Sequence, residues 1–186
     1  MGFIFLTGAW ANVSGYLFMQ IVWLRPFSNI PAVIYAIVST WLYSWMYFSL
    51  IQKKKLWFIA ASILLVIFAV VNLLFIQTIS FANSYTYLFQ SALLLIYTLS
   101  YFYHLIQDLP SLHIHQLPAF WFSAGLLFYH AGAFFLFSFT SYIYNVLNNN
   151  LITYWSFHNT LNILAHLVFF VGLYYDLKML KAKETH

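Results

Sequence analysis

Long apolar blocks alternate with short polar punctuation along the whole chain. Arg25-Pro26, Asn29 with Pro31, Lys53-Lys54-Lys55, Asn83-Ser84, Asp108 to Pro118 and Asn145 to Asn150 separate six blocks, at about 2–24, 31–51, 56–78, 84–107, 118–141 and 152–175. Each is close to the ~20 residues that cross a bilayer as a helix. Neither Leu56 to Gln107 nor Leu109 to Tyr175 contains a Lys, Arg, Asp or Glu. Backbone surrounded by lipid must satisfy its own hydrogen bonds, so successive spans of this kind are helices. The pattern predicts an all-α polytopic transmembrane helix bundle of about six spans, with residues 1–186 forming a single integral membrane domain.

Composition sharpens this reading. Hydrophobic residues make up 64% of the chain and charged residues 5%, far from the balance of a soluble domain. The segment Gly2 to Leu24 has no basic leading region and no small-residue cleavage pattern, so it reads as a span and not as a removable signal peptide. Cysteine is absent, which excludes disulfides, thiolate nucleophiles and iron–sulfur ligation. With six spans, Lys53 to Lys55, the Asp108 to Pro118 loop and the tail bearing Lys178, Lys181 and Lys183 share one side, and only Arg25 lies opposite. The positive-inside rule then places both termini in the cytoplasm. These lysines are topology signals. The net charge of +4 has no soluble surface on which to collect, so no nucleic-acid partner is expected, and the principal partner is the lipid bilayer. Trp23, Trp41, Trp45, Trp57, Trp121 and Trp155 lie mostly toward block ends, where indole rings anchor depth.

Polar residues inside the blocks recur at helical spacing. On the last block Trp155, Asn159, Asn162 and His166 follow i, i+4, i+7, i+11, with His158 at the edge of the stripe. The fourth block carries Gln90, Tyr97, Tyr101, His104 and Asp108 on one line, and the first carries Asn12, Tyr16 and Gln20. Such stripes are expected to face protein as polar seams, each interhelical bond contributing about 0.6 to 2 kcal/mol. The fifth block pairs Ala124-Gly125 with Ala131-Gly132 one heptad later, a face of small residues suited to close helix contact.

Two constellations could carry chemistry. His130 and His166 each lie about 17 to 20 Å from the same end of neighbouring antiparallel helices. They could serve as axial ligands of a b-type haem, as polar contacts to a quinone or similar ligand, or as buried histidines satisfied by Asn or Tyr without any cofactor. His104, Asp108, His113 and His115 place four metal-compatible side chains around one loop, at a spacing that matches no standard site. Other activities lack their residues. No Lys lies within a span to form a retinal Schiff base, and no Asp or Glu lies at mid-membrane to couple protons or ions. Ser123 has no acidic residue to complete a triad.

The stretch PAFWFSAGLLFYHAGAFFLF, followed by YWSFHNTLNILAHLVFFVGLYYDL, resembles a recurring pattern in small multi-pass proteins of Bacteroidetes-type bacteria. In that pattern a P-x-FW helix with Gly and Tyr precedes a last helix opening with W and H-N-x-x-N. The matching positions are Pro118, Phe120, Trp121, Gly125, Tyr129, Trp155, His158, Asn159 and Asn162. The family has six or seven helices and is often encoded next to sensor histidine kinases. The resemblance implies a sensory or signalling-associated membrane module without a catalytic domain, with a partner such as a histidine kinase. Three functions thus stand as expectations: a non-enzymatic partner subunit, a haem- or quinone-linked redox subunit using His130 and His166, and a small-solute transporter or channel lined by the seams.

Overall fold

The structure is a computed structural model and describes residues 10, 13–14, 16–18, 20–51, 55–77, 83–108, 113–140, 142–143 and 151–184; the side chains of 25, 26, 55, 151–155 and 182–184 lie outside the description. Among the described residues there is no strand. The main elements are α1 (Ile30–Ile51), α2 (Lys55–Val71) running into a π-helical turn at Asn72–Ile76, α3 (Ser84–Asp108), α4 (Pro118–Ser138) and α5 (Leu151–Glu184). Five helical stretches are long and apolar enough to cross a membrane: Ile30–Ile51, Leu56–Ile76, Ser84–Asp108, Pro118–Ser138 and Ser156–Lys181. The protein is therefore an all-α, multi-pass membrane protein. These stretches coincide with the second to sixth apolar blocks. Much of the first block, including Asn12, lies outside the described residues; Trp10, Val13, Ser14, Tyr16 to Phe18 and Gln20 are helical.

The last helix departs from the sequence pattern. The block was expected to end near residue 175, yet α5 continues to Glu184 and is 34 residues long. The sequence DLKMLKAKE that follows Tyr175 ends the apolar run but is rich in good helix formers, so hydropathy stops where helicity does not. At 1.5 Å per residue the helix measures about 51 Å, well beyond a ~30 Å hydrocarbon core.

The chain divides into two compact units, Met1–Leu93 and Leu94–His186, with α3 contributing its first part to one and the remainder to the other. In the first unit α1 and α2 form a helical hairpin. The inward line of α2 is Phe58, Ala61, Ser62, Leu65, Ala69 and Asn72, a 3–4 residue repeat that is buried throughout. On α1, Ser39, Thr40, Tyr43, Ser44 and Tyr47 are buried as well. Ser44 and Ser62 join the two helices through a 2.8 Å hydroxyl bond. Gln90 of α3 donates to Ala36 O at 3.1 Å and to Ser39 Oγ at 2.9 Å on α1, and Phe89 stacks on Phe68 of α2 at 4.8 Å.

In the second unit α4 and α5 run antiparallel in direct contact. A Cβ placed on Gly125 would lie 2.5 Å from Phe169 and 3.1 Å from Ala165 O, and one on Gly132 would lie 2.5 Å from Leu161. The heptad of small residues is thus the face that meets α5. Gly172 on α5 serves the other end, where a Cβ would lie 3.2 Å from both Pro118 O and Trp121 Cβ. Outward surfaces are apolar, as lipid requires, with Trp23, Trp41, Trp45 and Trp57 among the exposed rings.

Because the α4–α5 contact leaves no room for a side chain at Gly132, Gly132→Val is expected to destabilise the protein by about 1 to 3 kcal/mol. The neighbouring Ala131→Val should cost clearly less. Thermal midpoints in detergent check the order: equal midpoints for the two variants would contradict the packing described.

Candidate functional site

The histidines of α4 and α5 are organised by the register of these two helices. Leu161, Ala165 and Gly172 form the buried line of α5, and His158 precedes Leu161 by three residues on the same face. Its imidazole lies against the rings of Tyr129 and Phe137 of α4, at 5.8 and 6.0 Å between centroids. Its Nε2 is 2.9 Å from Tyr129 Oη. His158, placed by spacing at the edge of the polar stripe, is therefore a packed contact between the two helices. Asn159, one residue further and about 100° around the helix, is exposed. The polar stripe of α5 and its buried face are consequently offset by one residue, because small and branched residues set the contact line and Asn159 does not. Asn162 and His166 are half-buried, at the flank of that line. Trp155 has no described side chain. Tyr16 and Gln20 of the first block are exposed, which departs from the expected inward seam there.

His130 is buried, 5% exposed, on the line Ser123, Leu126, His130, Ala133 and Phe137. That line stands about 100° from Gly125, Tyr129 and Gly132, which face α5. The pairings Gly125 with Ala165 and Gly132 with Leu161 set His130 level with Asn162, and His166 about one turn, roughly 5 to 6 Å, away. The His166 Nδ1 is 2.6 Å from the carbonyl of Asn162 on its own helix. A carbonyl oxygen only accepts, so Nδ1 carries the proton and donates. A haem shared by His130 and His166 would need a slot between α4 and α5 wide enough for a macrocycle. The helices instead touch at Gly125 and Gly132 on both sides of the His130 level, so the residues present do not fit that group.

The expected metal cluster does not assemble. His104 is half-buried on α3, Asp108 is exposed at its end, and His113 and His115 are exposed, their rings 5.8 Å apart. Among the described residues no three His, Asp or Glu side chains could hold a metal ion. The physical reason lies in the turn at Ile114–Gln116: the carbonyl of His115 accepts the Trp121 indole N–H at 2.7 Å, and its ring packs on Tyr175, which in turn stacks parallel to Trp121. These contacts tie His115 to α4 and α5. The α3 seam is better matched to expectation, since Gln90, Tyr97 and Tyr101 are all buried.

A polar cluster of another kind lies at the turn between α2 and α3. Asn72, Asn83 and Thr86 are fully buried, and Gln77 and Ser84 nearly so. Asn72 Nδ2 lies 3.1 Å from Gln77 Oε1, 3.0 Å from Thr86 Oγ1 and 3.3 Å from Asn83 Oδ1. Gln77 Nε2 donates to Ser84 Oγ at 2.9 Å, and the Tyr85 backbone N–H donates to Gln77 Oε1 at 3.1 Å. Asn83 also starts α3, its carbonyl accepting from Thr86 and Tyr87 N–H. Helical spacing does not reveal this group, because Asn83-Ser84 reads as punctuation and Asn72 stands alone in an apolar block. The available signal was a polar residue one turn before the end of one span facing polar residues at the start of the next.

Compared with protein-family models, curated proteins and solved structures, the chain matches none, so the functional reading rests on its own residues. For the Tyr129–His158 bond, a double-mutant cycle with Tyr129→Phe and His158→Phe should give a coupling of about 0.6 to 1.7 kcal/mol. Measured by unfolding in mixed micelles, a coupling of zero would show that the two side chains only share space.

Proposed function

We propose that this chain is a non-enzymatic multi-pass membrane module, the partner subunit of a sensory or signalling assembly in a bacterial inner membrane, with both termini in the cytoplasm. The observation that carries this reading is the unequal burial of the spans. Only 11% of the last span is buried within the chain, against 28 to 44% of the other four. Its exposed surface includes Ser156, Asn159 and Thr160 as well as apolar residues. A helix face left this open within the chain is a surface against which another subunit can pack, and Asn159, whose side chain also reaches His158 on its own helix, lies on it. A histidine kinase is the partner class implied by the sequence resemblance.

Hydroxyl chemistry points the same way. The side chains of Ser14, Thr40, Ser49, Ser62, Thr98, Ser138, Thr140 and Thr160 each donate to the carbonyl four residues earlier in their own helix. That is how a hydroxyl satisfies itself in lipid, and it removes the donor from use in catalysis. Small-residue packing at Gly125 and Gly132 fixes α5 on one side and leaves its opposite side for a partner.

A photo-crosslinking amino acid at position 159, activated in intact membranes, should yield a defined adduct of protein mass. The same probe at the buried position 165 should yield none. Labelling of lipid alone from position 159 would defeat the partner reading, and mass spectrometry of a protein adduct distinguishes a second copy of the chain from a kinase.

A further inference from the structure

The amide orientations in the α2–α3 cluster are fixed by one backbone group. The Tyr85 N–H can only donate, so the Gln77 atom 3.1 Å away is its oxygen, and the Gln77 nitrogen is the atom facing Ser84 Oγ. With Gln77 Oε1 an acceptor, the Asn72 atom 3.1 Å from it is the amide nitrogen. The Asn83 oxygen, 3.3 Å from that nitrogen, is the third acceptor around an NH2 group whose two hydrogens are shared with Gln77 Oε1 and Thr86 Oγ1. What remains is one acceptor, Asn72 Oδ1, and one donor, Asn83 Nδ2. Both belong to residues with 0% exposure, and neither has a hydrogen-bond partner among the described residues.

We propose that Asn72 Oδ1 and Asn83 Nδ2 together hold a small neutral molecule that both donates and accepts hydrogen bonds. The pairing of one acceptor with one donor selects the chemistry. A cation would be held by the first atom and repelled by the hydrogens of the second, and an anion the reverse. An acyl chain would satisfy neither. Water is the smallest molecule with both functions, and urea or a primary amide presents the same pair at larger size.

The local backbone supports the assignment. The span ends in a π-helical turn at Asn72–Ile76, closed by Gln77 N–H on the Asn72 carbonyl at 2.9 Å. Such widened turns concentrate at functional positions because the extra residue redirects side chains at the cost of regular helix. Here the turn holds Asn72 and Gln77 in one buried group with Asn83, Ser84 and Thr86. Asn83, at a position where its side chain could cap the helix, instead accepts from Asn72. The site belongs wholly to the first unit and stands independently of the partner role proposed above.

The test is nuclear magnetic resonance of the intact chain, labelled with ¹⁵N at asparagine and held in detergent micelles. The assigned Asn83 side-chain amide protons should show cross-relaxation with the water resonance, with the sign of a long-lived bound molecule. Ser84→Ala and Thr86→Val remove nearby hydroxyls that could relay exchange, and the signal should survive in either variant. A signal lost in these variants would come from the hydroxyls and would overturn the proposal. Titration with urea and with acetamide at millimolar concentration separates the occupants. A saturable shift of the Asn83 amide with loss of the water signal identifies a solute site, and an unchanged spectrum with the water signal retained identifies water. A folded protein showing neither the water signal nor a solute shift at Asn83 overturns the proposal.

Discussion

Lipid offers no hydrogen bonds, and the internal arrangement of this protein follows from that constraint. Every polar side chain placed inside a span must find a partner in the protein. Three solutions recur: serine and threonine hydroxyls return to their own helix, Gln90 reaches across to Ala36 and Ser39, and Asn72, Gln77, Asn83, Ser84 and Thr86 gather into one buried group. The same constraint shapes the apolar contacts. Without water to drive helices together, close approach depends on small residues, and Gly125 and Gly132 let α4 meet α5 where larger side chains would hold them apart.

These solutions have different consequences for rigidity. A hydroxyl bonded within its own helix places no restraint on neighbouring elements. Gln90 and the Ser44–Ser62 bond tie specific depths of two helices together, and the group at Asn72 fixes the α2–α3 turn through side chains on both sides of it. In the second unit the α4–α5 contact combines close packing at Gly125 and Gly132 with the Tyr129–His158 bond.

Much of the fold was legible in the sequence. Continuous apolar length marks four spans at nearly their observed limits and the start of the last helix, though not its end, and the heptad of small residues marks the α4–α5 face. Gln90, Tyr97 and Tyr101 were readable as inward because their helical spacing agrees with their burial. The histidine constellations were not readable, and the reason is physical. Equal distance along two helices says nothing about rotation: His130 stands to the side of the line that faces α5, and a single residue separates the packed His158 from the exposed Asn159. Likewise, closeness in sequence did not bring His104 to His115, whose carbonyl and ring are engaged by Trp121 and Tyr175. The Asn72 group is invisible to helical periodicity, which follows one helix at a time, whereas this group is built across a turn.

The length of α5 gives the protein a mechanical property. Between Gly172, held against Pro118 and Trp121, and Glu184 the helix contains neither glycine nor proline. Its last turns, with Asp176, Lys178 and Lys181 exposed, continue the same backbone hydrogen-bond ladder past the apolar region. A helix of this kind has no hinge at the membrane surface. Rotation or axial displacement imposed on its lipid-embedded part is therefore delivered to the charged tail as rigid-body motion, with α5 acting as a shaft.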